Sequence, residues 1–474
     1  MPIASPHRRW CPAVLRSVAR SLPLAVCLVA LSSLGVASAL ARDEPSSSVS
    51  EPTSSNDAAS TTEAGTDDEI AASGAQWFAS LLERTTEPLP SVEVAAVDGF
   101  FTATMPVKAL GPVELTDGAH RVSFDFGAGA DSPGECVVYR QELDLAGSLL
   151  SLSDAAFDLI EREVGTIESR ALYRLDAGGI GSMPYMGLTW IYRASAGEGA
   201  ELLAGQARHW MAIKEGRALY CRTTAIGYDD AFFEVFRSLV ATLAIRQRLV
   251  PEPFFETLAL VEVGGQVVGV DRTTMVIDED GDIATRETRA MLLPVDQERV
   301  QATDSALAQF STLDGQLIAK VEVRAVDGST ISQVALNRRP ADGHWQVAGT
   351  IRGRALNHDL GPADLRSGFG QRLDFRRFVR GAEPGTTLTF RDWIPEVDAG
   401  SLLDYRLTYE EPHEMGARLT TEAGDSTVSV IVDEAFSFLA TAQPLGGRKM
   451  TTRRVVTNGD VFAPLTPEDD ATGD

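Results

Sequence analysis

The segment LYCRTTAIGYDDAFFEVFRSLVATLAI, Leu219–Ile245, joins a strand-like run to an amphipathic run and indicates the fold of the first half of the chain. In the second run, apolar side chains recur at intervals of three and four residues, so they share one face of a helix. They belong to Phe232, Phe233, Phe236, Leu239, Val240 and Leu243. This face predicts a helix that is buried against a sheet.

Strand-like runs separated by Gly, Pro and Asp precede this segment, and one other helical stretch, LSDAAFDLIEREVGT at 152–166, interrupts them. The order of elements predicts an α+β sandwich with helices packed on an antiparallel sheet. The ending ALYCRTTAIGYDDAFFEVFRSLVATL, residues 218–243, resembles the last strand and last helix of the PsbP-like family of envelope and lumenal domains. The resemblance covers residues from about 90 to 248 and implies binding or scaffolding.

Cys136 and Cys221 lie in two different predicted strands of this half. If the protein is exported to an oxidising compartment, the two thiols most simply pair with each other in a disulfide. Two free buried thiols are an alternative. A third is a nucleophilic cysteine with His209 as its base, although a nucleophile also needs a lowered thiolate pKa.

Aspartate-glycine turns punctuate the second half, residues 250–465, and predict a long antiparallel meander. The glycines of these turns are Gly281, Gly315, Gly328 and Gly343. Such a sheet has to cover its apolar face, either by curling around a helix or by leaving a groove for a ligand or partner. The segment GPADLRSGFGQRLDFRRFVRG, residues 361–381, is the candidate cover, although its glycines disfavour a helix.

The run LIAKVEVRAV, residues 317–326, alternates apolar and charged side chains. One face of this strand is therefore apolar, and the face with Lys320, Glu322 and Arg324 is expected to be wet. The residues predicted to line a ligand groove on the apolar face are Leu317, Ala319, Val321 and Val323. Ordinary core packing is the alternative for these four side chains.

Two stretches of this half, VEVGGQVVGVDRTTMVIDEDGDIATRETRAMLL (261–293) and QFSTLDGQLIAKVEVRAVDG (309–328), resemble incurved half-barrel domains of exported bacterial proteins. Such sheets occur in LolA-like lipoprotein carriers, which hold acyl chains, and in strand-rich domains that precede transglutaminase-like domains. No Cys/His/Asp enzyme domain follows in this sequence. The resemblance therefore implies a curved antiparallel half-barrel that could hold a hydrophobic ligand, without the enzymatic half.

The N-terminus, residues 1–41, has four arginines, an apolar core and small residues before Arg42, which is typical of a cleaved signal peptide. A membrane anchor is the alternative, but its apolar core is broken by proline and serine. We expect a periplasmic or extracellular protein with a disordered acidic linker (42–72), a PsbP-like domain (73–248), a curved β domain (250–465) and an acidic tail (466–474). The net charge of −25 argues against nucleic acid as a partner.

Catalytic and metal motifs are not apparent in the sequence. The acidic run DEDGD, Asp278–Asp282, has its glycine too early for an EF-hand loop and is better explained as a hairpin turn. The histidines His120, His209, His344, His358 and His413 are scattered. We therefore predict no catalytic residues, cofactor or metal, and a protein that binds or carries a hydrophobic ligand or acts as a scaffold. A hydrolase with an unrecognised site and an assembly adaptor for a basic partner are the alternatives.

Overall fold

The computed structural model describes residues 84, 87–129, 132–195, 197, 202–247, 251–423, 426–433, 438–445 and 448–465. The predicted signal peptide, acidic linker and C-terminal tail lie outside these residues, so they stay predictions. Within the described residues, no helix is both long enough and apolar enough to cross a membrane.

Within the described residues, the N-terminal part contains two antiparallel sheets and two helices. One sheet has the strand order β1-β2-β11; the other has the order β3-β5-β6-β10-β9-β8-β7, with β4 beside β5. The elements are β1 (Ser91–Ala95), β2 (Phe101–Pro106), β3 (Ala109–Leu110), β4 (Glu114–Thr116), β5 (Ala119–Asp125), β6 (Gly134–Tyr139), α1 (Ala146–Val164), β7 (Thr166–Ile180), β8 (Met183–Ser195), β9 (Leu202–Lys214), β10 (Arg217–Thr223), α2 (Asp229–Thr242) and β11 (Ala244–Ile245).

Helix α2 buries the face that the apolar spacing predicts. Phe232, Phe236 and Leu239 lie in a core cluster with strands of both sheets, whereas Phe233 is only partly buried. The same cluster contains Cys136 and Cys221, which stand opposite each other on β6 and β10 and are joined in a disulfide. Because the sulfur of Cys221 is bonded, it is not a thiol nucleophile.

The C-terminal part is built on one antiparallel sheet of 14 strands, in the order β19-β18-β17-β16-β15-β14-β13-β12-β25-β24-β23-β22-β21-β20. Its elements are β12 (Phe255–Val263), β13 (Gln266–Ile277), β14 (Ile283–Pro294), β15 (Val300–Ser311), β16 (Leu317–Val326), β17 (Ser329–Arg338), β18 (His344–Ile351), β19 (Arg354–Pro362), α3 (Gly368–Gly381), β20 (Thr387–Asp392), α4 (Pro395–Asp398), β21 (Leu403–His413), β22 (Gly416–Ala423), β23 (Ser426–Val432), β24 (Phe438–Leu445) and β25 (Arg448–Gly459). The fold class is therefore α+β and β-rich, as the sequence predicts.

The large sheet curls, so that strands far apart in its order face each other. Lys320 on β16 donates to a carboxylate oxygen of Asp392 on β20 at 3.1 Å and to the carbonyl oxygen of Trp393 at 2.9 Å. Between the facing strands lies α3, whose Gln371 and Phe375 line a cavity together with residues of β14–β16 and β20–β22. Of the two ways to cover the concave side, the chain thus uses a helix.

Gly370 of α3 allows a close approach between the helix and the turn after β15. A Cβ on Gly370 would lie 2.1 Å from the carbonyl oxygen of Gly315, so no larger residue fits there. The helix begins with a serine cap, because the hydroxyl of Ser367 accepts from the amide of Gly370 at 3.0 Å. The cap and the packing against the sheet offset the low helix propensity of glycine.

The structure corrects the expectation about the wet face of β16. Lys320 is only 3% exposed and Glu322 only 1% exposed, since both point to the concave side, where α3 lies. Ala319, Val321 and Val323 alternate with them and therefore point to the convex side. The alternation identified two different faces, but the charged face is the inner one.

The convex face of the large sheet packs against the N-terminal part. One hydrophobic cluster contains Leu149 of α1 and Leu188 of β8 together with Leu258, Val270 and Leu292 of the large sheet. The two parts therefore share a core at their contact. The predicted domain boundary near residue 249 lies outside the described residues and stays a prediction.

Candidate ligand groove

The concave side of the large sheet is lined with ion pairs. Arg289 and Asp271 are joined at 2.6 Å, and Arg454 and Asp433 are also 2.6 Å apart. Helix α3 adds Arg372, which is buried among them and whose pKa is lowered because burial disfavours its charged form. In each of these two ion pairs the opposite charges compensate each other, as buried charges require.

The space left inside is small. One cavity of about 50 Å³ lies between β12–β14, α3, β24 and β25, and another of about 40 Å³ lies between α3 and β20–β22. Cavities of this size hold a few water molecules, whereas sites for small organic ligands usually span about 300–1,000 Å³. These two cavities, formed by described residues, are therefore too small for the acyl chain that the half-barrel resemblance implies.

A larger groove lies at the contact between the N-terminal part and the large sheet, with about 370 Å³ of space. It is walled by α1, β7 and β8 on one side and by the β14–β15 and β16–β17 turns on the other. The residues that line it are Leu150, Asp154, Arg170, Trp190, Val295, Glu298, Arg299, Val300, Gln301 and Asp327. Its size falls within the range of small-molecule sites.

Packing and hydrogen bonds fix the N-terminal wall of the groove. The indole N–H of Trp190 donates to the hydroxyl of Ser153 on α1 at 2.9 Å. The guanidinium of Arg170 lies over the Trp190 ring, 5.0 Å from its centroid, and donates to Asp154 at 2.8 Å. The stacking and the hydrogen bond thus hold the side chains of Trp190, Arg170 and Asp154 in place, so few other rotamers are open to them. Side chains that are already ordered lose less conformational entropy when a ligand binds.

The opposite wall is the turn between β14 and β15. The backbone N–H of Leu172 on β7 donates to the carbonyl oxygen of Gln297 in this turn at 2.7 Å, and this bond holds the turn against the N-terminal part. Val295 stands at the rim and is 58% exposed. Arg299 is paired with Asp296 at 2.6 Å within the same turn. The groove therefore combines apolar walls with charged groups at its rim.

The four residues predicted to line a ligand groove are not brought into this site. Leu317 packs with Trp345, Leu365 and Trp393 in a separate cluster, and Val323 is buried on the convex face. Ala319 and Val321 lie half-buried on that same face. A ligand role for these four residues stays a prediction. The groove residues were missed because they come from elements that are distant in sequence, and no local pattern marks them.

The histidine considered as a base has a structural environment. His209 is fully buried, its Nδ1 lies 2.7 Å from the hydroxyl of Tyr220, and burial lowers its pKa to about 3. It stands next to Trp210, which is opposite Cys221, so its side chain points to the other face of the sheet. His209 and Cys221 do not form a catalytic pair.

The run DEDGD forms a turn in which Asp278 accepts from the amides of Asp280 and Asp282, at 3.0 and 2.9 Å. The hairpin interpretation of this run is confirmed. Over the part of the chain that the structure describes, no group of three His, Cys, Asp or Glu side chains is placed to hold a metal ion.

No protein-family model matches the sequence, and no curated protein is significantly similar to it. Solved structures similar to this chain include a β-barrel-like protein of a domain of unknown function, DUF1849, from Brucella abortus. It is 10% identical, with a TM-score of 0.35, over 44% of this chain and 98% of its own. Another is cyanobacterial PsbP (CyanoP) from Synechocystis sp. PCC 6803, which is 9% identical, with a TM-score of 0.22, over 34% of this chain and 96% of its own.

Proposed function

We propose that the protein acts after export as a non-catalytic binding protein, and that the groove between its two parts takes a small amphipathic molecule. The observation that carries this proposal is the groove itself, with its space of about 370 Å³. The proposed ligand site is therefore at the contact between the two parts, and not on the concave side of the sheet, where α3 and ion pairs lie.

The walls of the groove favour a ligand with an apolar body and a polar or charged head. Leu150, Val295 and Val300 offer aliphatic surface next to the indole of Trp190. Glu298 and Asp327 stand on the turns at the rim, where they would meet the ligand's head at the solvent edge. Burial of apolar surface supplies affinity in such sites, and a few polar groups supply orientation.

A hydrolase is less well supported by the same geometry. The cysteine and histidine that sequence analysis paired are separated into a disulfide and a buried hydrogen bond to tyrosine. The groove carboxylate Asp154 is engaged by Arg170.

Binding can be tested with two probes that share a ten-carbon body and differ in head charge, decanoate and decyltrimethylammonium. Isothermal titration calorimetry of the protein purified from the periplasm should show saturable binding of at least one probe. The substitution Val295→Arg, at the rim, should weaken that binding about tenfold, because burial of a valine side chain is worth roughly 1.5 kcal/mol.

The matched control is Val97→Arg, which makes the same change in the turn between β1 and β2, where the valine is 93% exposed. This variant should bind like the unchanged protein. Absence of saturable binding of both probes would overturn the proposal, and so would equal affinities of the Val295→Arg and Val97→Arg variants.

The adaptor alternative depends on residues 42–72, which lie outside the described residues. It predicts that a basic partner captured by the full chain is lost when this segment is deleted, while probe binding in the groove is unchanged.

A further inference from the structure

The start of α1 is attached to the convex face of the large sheet through carboxylates. The amides of Ala146 and Gly147 donate to the two carboxylate oxygens of Asp304 on β15, at 2.9 and 2.6 Å. The N-cap residue of the helix, Leu145, makes no capping hydrogen bond with its side chain. Asp304 is only 4% exposed, so a residue 157 positions away in sequence from Gly147 satisfies the helix start in a buried contact.

A second link runs beside the first. Glu142, just before α1, forms an ion pair with Arg286 on β14. Gly147 fits tightly against the β16–β17 turn, because a Cβ there would lie 3.0 Å from the amide nitrogen of Gly328 and 3.1 Å from a carboxylate oxygen of Asp304. We call the segment from Glu142 to Gly147, together with Arg286 and Asp304, the joint.

Asp144 lies in the middle of the joint, and its Oδ1 is buried without a hydrogen-bond partner among the described residues. The charged groups that act on it are Asp304, Glu142 and Arg286. Arg217 of β10 also interacts electrostatically with Glu142. Among the described residues, the cation that acts on Asp144 is Arg286, which is already paired with Glu142, so an ionised Asp144 would place a third negative charge beside two other carboxylates.

We propose that the joint is pH-sensitive: it closes with Asp144 protonated, and opening it releases that proton to water, so that rising pH detaches the start of α1 from the large sheet. The proposal does not depend on the ligand of the groove. Opening the joint would also change the groove, because α1 and β15 both contribute residues to its walls. These residues are Leu150 and Asp154 of α1 and Val300 and Gln301 of β15.

The direction of the effect follows from proton linkage. Burial, followed by the repulsion of Asp304 and Glu142, raises the pKa of Asp144 to about 8, whereas an aspartate in water has its ordinary pKa of 3.8. Between these values the closed joint holds one proton more than the open joint, so closure is favoured at low pH and is lost as pH rises toward 8. Burial also raises the pKa of Asp304, to about 6, which acts in the same direction at lower pH.

Hydrogen–deuterium exchange of the full chain at pH 6.5 and 7.5 tests the proposal. After correction for the intrinsic exchange rate, protection of the first-turn amides of α1 should fall about tenfold between these pH values, since one proton is released on opening. In Asp144→Asn, which keeps the shape and removes the charge, protection should not change with pH. The matched control is Asp158→Asn, at an exposed position of the same helix outside the groove, which should behave like the unchanged protein.

The amides of α2 serve as an internal reference, because that helix lies outside the joint. The proposal is overturned if the first turn of α1 is equally protected at both pH values, if Asp144→Asn retains the tenfold change, or if α2 loses protection to the same extent. None of these outcomes depends on binding of decanoate or decyltrimethylammonium, so failure of the groove proposal remains distinguishable.

Discussion

Replacement of both Cys136 and Cys221 by alanine should lower the free energy of unfolding by about 4–5 kcal/mol. The disulfide closes a loop between residues that are 85 positions apart. The chain-entropy relation grows with the logarithm of loop length and gives about 4.5 kcal/mol at 25 °C for a loop of this size. Both sulfurs are fully buried in the core under α2, so the lost packing adds to this value.

Urea unfolding followed by circular dichroism measures this change. The unchanged protein should lose a similar amount of stability when it is unfolded in the presence of a reductant, since reduction removes the cross-link and leaves the sulfur atoms. The double alanine variant should be insensitive to reductant. A loss of less than 1 kcal/mol in the variant, or equal stabilities of the oxidised and reduced protein, would refute the reasoning.

Three further predictions concern buried polar groups. The pKa of His209 falls to about 3 on folding, so the unfolded state takes up the proton first as pH falls. The free energy of unfolding should therefore drop by about 2 kcal/mol between pH 7 and pH 5. The substitution His209→Gln should remove most of this loss, measured by urea unfolding at both pH values. Ser153→Ala should cost about 1–3 kcal/mol, because the indole N–H of Trp190 loses its acceptor in the core. Lys320→Ala should cost about 3 kcal/mol, because Asp392 loses its buried ammonium partner.

The chain offers controls for these substitutions. Ser151→Ala changes an exposed serine of the same helix, and Lys449→Ala changes an exposed lysine of β25; both should alter stability by less than about 0.5 kcal/mol. Equal effects of Ser153→Ala and Ser151→Ala, or of Lys320→Ala and Lys449→Ala, would contradict the roles assigned to the hydrogen bond and the ion pair. A His209→Gln variant with an unchanged pH response would contradict the assignment to His209.

Local sequence patterns were sufficient to predict helix α2 and the hairpin turns of the large sheet. The apolar spacing from Phe232 to Val240 predicted α2 correctly, and each aspartate-glycine pair predicted a hairpin in the large sheet. Gly281, Gly315 and Gly328 indeed have positive φ angles of 82°, 83° and 72° in these turns. Such signals are local, because backbone sterics at a turn and periodicity along a helix depend on neighbouring residues.

The sidedness of the sheet and the groove could not be predicted in the same way. Alternation along β16 distinguishes the face of Lys320 from the face of Val321 without specifying which one meets water. The charged face became interior because the sheet curls around α3 and because Asp392 and Trp393, which lie far along the chain, provide partners for Lys320. The groove likewise depends on the placement of the wall that holds Trp190 opposite the turn that holds Val295, an arrangement that no single segment encodes.

The pairing of β12 with β25 has a consequence for how the protein is made. These are the first and last strands of the large sheet in sequence, yet they are neighbours near its middle, so the runs β12–β19 and β20–β25 can each pair strand by strand but join only when β25 has formed. Its central hydrogen bonds wait for the last residues to arrive, and pairings over such long sequence distances form slowly. Until then β12 and β24 are open edges that invite association with other chains, so nascent protein would benefit from chaperone protection until β25 is in place.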